Sequence, residues 1–149
     1  MRESKEARKE RQAKELWTFV DVLRRAGNIV EEEVPLFNPK LETNWRIDLT
    51  LPKAEVLWQS GNVTFGHNSP IALEIDGIGF SHGSRAGIIR DREKGREAVI
   101  AGYRLLRVTR EEIGNGDALE LLARAGVQTE PKAVDSPSIT THMRPDVPE

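Results

Sequence analysis

Two carboxylates interrupt the apolar run IALEIDG: Glu74 and Asp76, between residues 71 and 77. Alternate side chains of a strand share a face, so Glu74 and Asp76 point one way and Ile71, Leu73 and Ile75 the other. A third carboxylate, Asp48, lies in the alternating stretch NWRIDLTL (44–51). There Ile47, Leu49 and Leu51 take one face and Arg46, Asp48 and Thr50 the other. If the two strands are neighbours, Asp48, Glu74 and Asp76 converge on one side of a sheet. Clustered carboxylates repel one another unless a cation separates them. A hard divalent ion, Mg²⁺ or Mn²⁺, suits such an all-oxygen set. It can polarise a phosphoryl oxygen and lower the pKa of a bound water, while nearby arginines and a lysine steady the phosphate's charge. The same residues would serve equally as ion-pair partners for arginines on a solvent-exposed sheet face.

Charge distribution bears on that choice. The chain carries a net charge of −2, yet residues 82–110 hold eight basic side chains against three acidic ones. The basic set is Arg85, Arg90, Arg92, Lys94, Arg96, Arg104, Arg107 and Arg110. A local basic region on an otherwise acidic chain is the layout of a polyanion-binding face, and also that of a solvated helix.

The elements that must hold these residues follow from periodicity. Residues 4–26 predict a helix, with Leu16, Val20 and Leu23 at helical spacing and Gly27-Asn28 as its stop. EEEVPLF (31–37) predicts a strand that Pro35 confines to an edge or a bulge. EVLW and VTF, joined across residues 59–62, predict a hairpin over 54–65, and Gly66 to Pro70 a turn into the strand of Glu74. A glycine-rich loop then leads to a helix over about 88–101. Gly95 inside that helix costs about 1 kcal/mol relative to alanine, which implies a close backbone approach there. YRLLRVT (103–109) reads as a strand, and Asn115 or Asp117 as the cap of a last helix ending near Gly126. Trp17, Trp45 and Trp58 read as core or hairpin packing. The expected class is α/β in the α+β sense: a mixed central sheet flanked by helices.

With 149 residues, 38% hydrophobic and 31% charged, the chain suits one domain. That domain is placed at 1–129, with its core at 31–126 and a flexible, proline-containing tail at 130–149. No apolar run approaches the ~20 residues of a membrane span, and the N-terminus lacks a signal peptide's apolar stretch. The absence of cysteine excludes disulfides and thiolate zinc sites and points to a cytoplasmic setting.

In order and spacing, residues 13–113 resemble the PD-(D/E)XK nuclease superfamily, particularly small phage and bacterial endonuclease-like proteins related to the very-short-patch-repair and VRR-NUC groups. KELW looks like the helix-one glutamate motif, with Glu15 in that place. NWRIDLTLP is similar to the strand carrying the first aspartate, here Asp48, and IALEIDG to the strand carrying the second acid, here Glu74. RDREKGREAVIAGYRLLRVT is similar to the helix and strand that follow. The resemblance implies a restriction-endonuclease-like core with an inserted hairpin, Mg²⁺ (or Mn²⁺) held by Asp48, Glu74, the Ile75 carbonyl and Asp76, and hydrolysis of DNA phosphodiesters. Asp48, Glu74, Asp76 and Lys94 are then the catalytic set, and His82, Arg85, Arg90 and Arg92 bind substrate. The chain departs from the pattern at position 76, where the superfamily's lysine is replaced by aspartate. Lys94, on a helical stripe with Asp91 and Ala98, is the candidate to supply that charge. The same departure leaves open a nuclease-fold module that binds nucleic acid without cutting it. A monomer or a homodimer fits, with the strand near Glu33 and the hairpin as the places for a dimer contact.

Overall fold

The computed structural model describes residues 1–38, 42–77 and 85–131. Helix α1 (Lys5–Arg25) opens on Ser4, whose Oγ accepts from the Ala7 amide at 3.1 Å. Its first half is held by side-chain ion pairs, Arg11 bonding both Glu3 and Glu15 at 2.9 Å. Only its second half packs, through Phe19, Val20 and Leu23. Trp17, expected in the interior, is 67% exposed, because it falls outside the stripe those three define. The helix ends at Gly27, whose φ of 94° is the left-handed conformation that favours glycine there.

Strands β1 (Glu31–Asn38), β2 (Thr43–Leu51), β5 (Ile71–Asp76) and β6 (Arg104–Thr109) form one mixed sheet in the order β1-β2-β5-β6. β1 and β5 run antiparallel to β2, and β6 runs parallel to β5. β1 is an edge strand, one of the two placements that Pro35 allows. β3 (Glu55–Ser60) and β4 (Val63–Asn68) form a separate two-stranded hairpin inserted between β2 and β5. It turns at Gly61, with φ 61°, and closes where the Ser69 amide donates to the Ala54 carbonyl at 2.7 Å. The hairpin runs three residues beyond its expected end.

Helix α2 (Arg85–Ile100) starts earlier than its periodicity suggests and crosses over to β6. Two short helices follow, α3 (Arg110–Asn115) and α4 (Asp117–Arg124), where a single one was expected. Thr109 and Glu112 cap α3 reciprocally, and Gly116, at φ 91°, separates the pair. The N-cap of α4 is therefore Gly116, not Asn115 or Asp117. None of the described helices is long and apolar enough to cross a membrane.

Apolar packing divides between the two faces of the sheet. Leu49, Leu51, Ile71, Leu73 and Val108 pack with Phe19 and Leu23 of α1, Ile113 of α3 and Leu122 of α4. Leu36, Ile47 and Ala72 pack with Ala98 of α2. Ile47 and Leu49 thus lie in different clusters, against the simple alternation expected of β2. The ladder explains the difference. Pairing of β1 with β2 is interrupted at Glu33, opposite Asp48, and Glu33 takes a φ of 51°. Pairing of β2 with β5 begins only at Leu49. The strand changes face at Asp48.

Candidate active site

On β5 the expected alternation holds. Ile71, Leu73 and Ile75 belong to the cluster under α1, whereas Glu74 and Asp76 meet partners on the α2 side. Asp48, released from the ladder, reaches along the sheet, and its Oδ2 accepts from the Ile75 amide at 2.7 Å. That bond takes the place of the backbone pairing absent at this rung, and it sets Asp48 beside Glu74.

Glu74 is met by Lys94 of α2, with Nζ 2.8 Å from Oε2 and side-chain exposures of 21% for the lysine and 12% for the glutamate. Its other oxygen, Oε1, is buried with no hydrogen-bond partner. Burial is the largest influence on this carboxyl and pushes its pKa up. The bond and charge of Lys94 pull it down, the charge of Asp48 pushes it up, and the nearby Asp48 backbone amide pulls it down least of all. The net shift is upward. An unpaired oxygen in such a setting costs free energy that a cation or a proton donor would recover.

The placement of Lys94 follows from the approach of α2 to β6. A Cβ at Gly95 would meet Leu105 Cδ2 at 3.1 Å and Arg107 Nη2 at 3.6 Å, the close contact anticipated for this glycine. Arg107, absent from the sequence-derived site, fixes the same junction: Nη2 donates to the Asp91 carbonyl at 3.0 Å and Nη1 lies 3.6 Å from Asp76 Oδ1. Its signal in the sequence is its place, two residues from Leu105 on the α2 face of a strand. Lys94 and Ala98 both face the sheet, as the helical stripe predicted.

The structure therefore brings together Asp48, Glu74 and Lys94, while Asp76 turns to Arg107. Among the described residues no three or more His, Cys, Asp or Glu side chains are grouped to hold a metal ion. Asp48 and Glu74 stand together, and Asp76, expected as the third carboxylate, has Arg107 as its ionic neighbour at 3.6 Å. Arg85, Arg90 and Arg92 are exposed on α2 and have no ionic partner among the described residues. Glu15 is bonded by Arg11 and seats against α3, where a Cβ at Gly114 would come within 2.7 Å of its Oε2. It shares a cleft of about 540 Å³ with Gly77 and Arg110. His82 lies outside the described residues, as does the tail beyond residue 131.

A divalent ion suits the donors that remain. Asp48 and Glu74 are hard oxygen ligands side by side, and the buried Glu74 Oε1 has no other partner. Mg²⁺ commonly takes one or two carboxylates and completes its shell with water and substrate phosphate. Comparison with known proteins returns no matching family model, no matching curated protein and no matching solved structure.

Proposed function

We propose that this chain is a Mg²⁺-dependent (or Mn²⁺-dependent) endonuclease that hydrolyses DNA phosphodiester bonds. The observation that carries the reading is the buried, unpartnered Oε1 of Glu74 beside Asp48, with Lys94 as the only cation bonded to that acid among the described residues. The element order adds support. One helix, three strands, a crossover helix and a strand parallel to the third, leaving the hairpin aside, are in keeping with the core that the resemblance implies.

Asp48 and Glu74, with the Ile75 carbonyl, would hold the ion, and Asp76 would stand at the edge of the site under the control of Arg107. When bound, the ion would supply Lewis acidity toward a phosphoryl oxygen and a more acidic water. The chain's own residues do the rest. Asp48 holds the end of β5 through the Ile75 amide and so fixes where the Glu74 carboxylate stands. Lys94 brings an ammonium to the phosphate that approaches Glu74 and offsets the charge that develops on it. Arg85, Arg90 and Arg92 on the outer side of α2 contact backbone phosphates, which sets affinity and its salt dependence more than sequence preference.

A second reading has its own observation. Asp76, in the position of the superfamily's lysine, is paired with Arg107, and Glu74 is paired with Lys94. A site neutralised from within suits a module that binds nucleic acid without cutting it. A labelled panel of single-stranded, duplex, nicked, flapped, mismatched and four-way-junction DNA, incubated with Mg²⁺, Mn²⁺ or chelator, separates the two. Metal-dependent cutting that is lost in Asp48→Ala and Glu74→Ala supports the nuclease, and the preferred substrate identifies the DNA form. Band shifts without cutting support the binding module.

A further inference from the structure

Glu74 and Asp48 place two negative charges in a partly closed site, and Lys94 brings one positive charge to them. Its ammonium lies on Oε2 and leaves Oε1 buried and unsatisfied. We propose that Lys94 is the resident counter-charge of Glu74 and gives way when a divalent cation enters beside Oε1 and Asp48, which frees the ammonium for a substrate phosphate. This inference rests on the metal reading above and adds to it a control of the site by its own lysine.

Three features carry it. First, charges in such a setting interact far more strongly than in water, so a lysine and a divalent ion on one carboxylate repel each other strongly. Second, the attraction for an added cation is not exhausted by Lys94, because one of the two Glu74 oxygens has no partner. Third, the helix bearing Lys94 is anchored independently of the ion pair. Gly95 lies against Leu105, and Arg107 donates to the Asp91 carbonyl. Lys94 can therefore leave Glu74 by rotating its four-carbon stem while α2 stays in place. The same stem brings the ammonium to a phosphate held near the ion. The lysine thus occupies the site before the metal and serves the substrate after it.

The test uses the full chain and the metal alone, without DNA. Calorimetric titration with Mn²⁺ compares the wild type with Lys94→Met, which keeps the stem and removes the charge. About tenfold or tighter binding by the variant is expected, since the ion no longer competes with a positive charge close by. In parallel, a water-soluble acylating reagent is applied to the wild type with and without Mn²⁺. Mass spectrometry follows Lys94 relative to the exposed Lys5, Lys9 and Lys14. Labelling of Lys94 should rise severalfold with the ion while the reference lysines are unchanged. Equal or weaker binding by a folded Lys94→Met would overturn the proposal and leave the metal site standing, with Lys94 acting instead as a fixed clamp on Oε2. Unchanged Lys94 labelling under saturating Mn²⁺ would overturn it too, and decides the matter alone if the variant fails to fold. Absence of Mn²⁺ binding by both proteins would remove the metal reading itself and the inference with it.

Discussion

Asp48 has two roles that substitution can separate. Its Oδ2 accepts the Ile75 amide at 2.7 Å where the ladder between β2 and β5 has not yet begun. In the proposed chemistry it is also a ligand of the ion. Asp48→Ala removes a charged acceptor and leaves a half-buried amide without a partner. A bond to a charged group is worth about 1.5–3 kcal/mol, and an orphaned donor costs about 1–3 kcal/mol. Ile75 is only half-buried, so water can replace part of the loss, and relief of the repulsion that Asp48 exerts on Glu74 works in the opposite direction. A net loss of about 2 kcal/mol follows from these opposing contributions. For a domain of this size that lowers Tm by about 6 °C.

Asp48→Asn is the informative partner. Its amide oxygen can accept from the same N–H without the charge, so the stability cost falls to about 1 kcal/mol or less. A neutral amide is nevertheless a far poorer ligand for a hard divalent ion. Urea unfolding followed by circular dichroism, run beside the DNA-cleavage panel, should show Asp48→Ala clearly destabilised and Asp48→Asn close to wild type, with both inactive. An Asp48→Ala variant as stable as the wild type would refute the structural role. An Asp48→Asn variant that cuts at the wild-type rate would refute the role in holding the ion.

Other perturbations probe the supports of the site. Gly95→Ala should stay within about 1 kcal/mol of wild type, because the gain in helix propensity offsets the 3.1 Å approach to Leu105. Gly95→Leu should cost more than about 2 kcal/mol by overpacking and loosen the Lys94–Glu74 pair; equal stabilities in urea would contradict the close approach. Thr109→Ala removes one half of the reciprocal cap of α3 and should cost about 1 kcal/mol, with faster amide exchange confined to the first turn of that helix. Glu74→Gln tests the upward pKa shift. A carboxyl that holds its proton more firmly in the folded state favours folding below the ordinary value of 4.5, and that contribution is lost as pH rises through the folded-state pKa. Unfolding titrations at successive pH values from 4.5 upward should therefore show wild-type stability falling relative to Glu74→Gln. A flat or rising difference contradicts the shift.

Much of the fold is legible in the sequence because its signals are local. Pro35 marks an edge strand, Gly27 ends α1, and the spacing of Glu74 and Asp76 puts both on the α2 side of β5. Gly95 announces a close approach that the structure realises against Leu105. Less legible are features decided by contacts between elements. Trp17 is a large apolar residue beside the buried stripe of α1, and only the position of the sheet shows that it points away. The T-x-x-E signal at Thr109 and Glu112 is present in the sequence, but it lies directly behind a strand and so passes for the strand's end.

Asp48 shows why the site in particular resists reading by periodicity. Alternation assumes an unbroken ladder, and the pairing of β2 is interrupted at this residue, where Ile47 turns to the cluster under α2 and Leu49 to the cluster under α1. On a regular strand the Asp48 backbone would be paired on one side with β1 and its side chain fixed to one face. At the interruption opposite Glu33 that constraint is lifted, and the side chain can turn along the sheet to the Ile75 amide. The bond then fixes the end of β5, where Glu74 stands under Lys94. Regular pairing would strengthen the sheet and separate these residues. The break weakens one rung and brings Asp48 beside Glu74, so a variant that restored continuous pairing between Glu33 and Asp48 should gain sheet stability while losing the arrangement that the proposed chemistry requires.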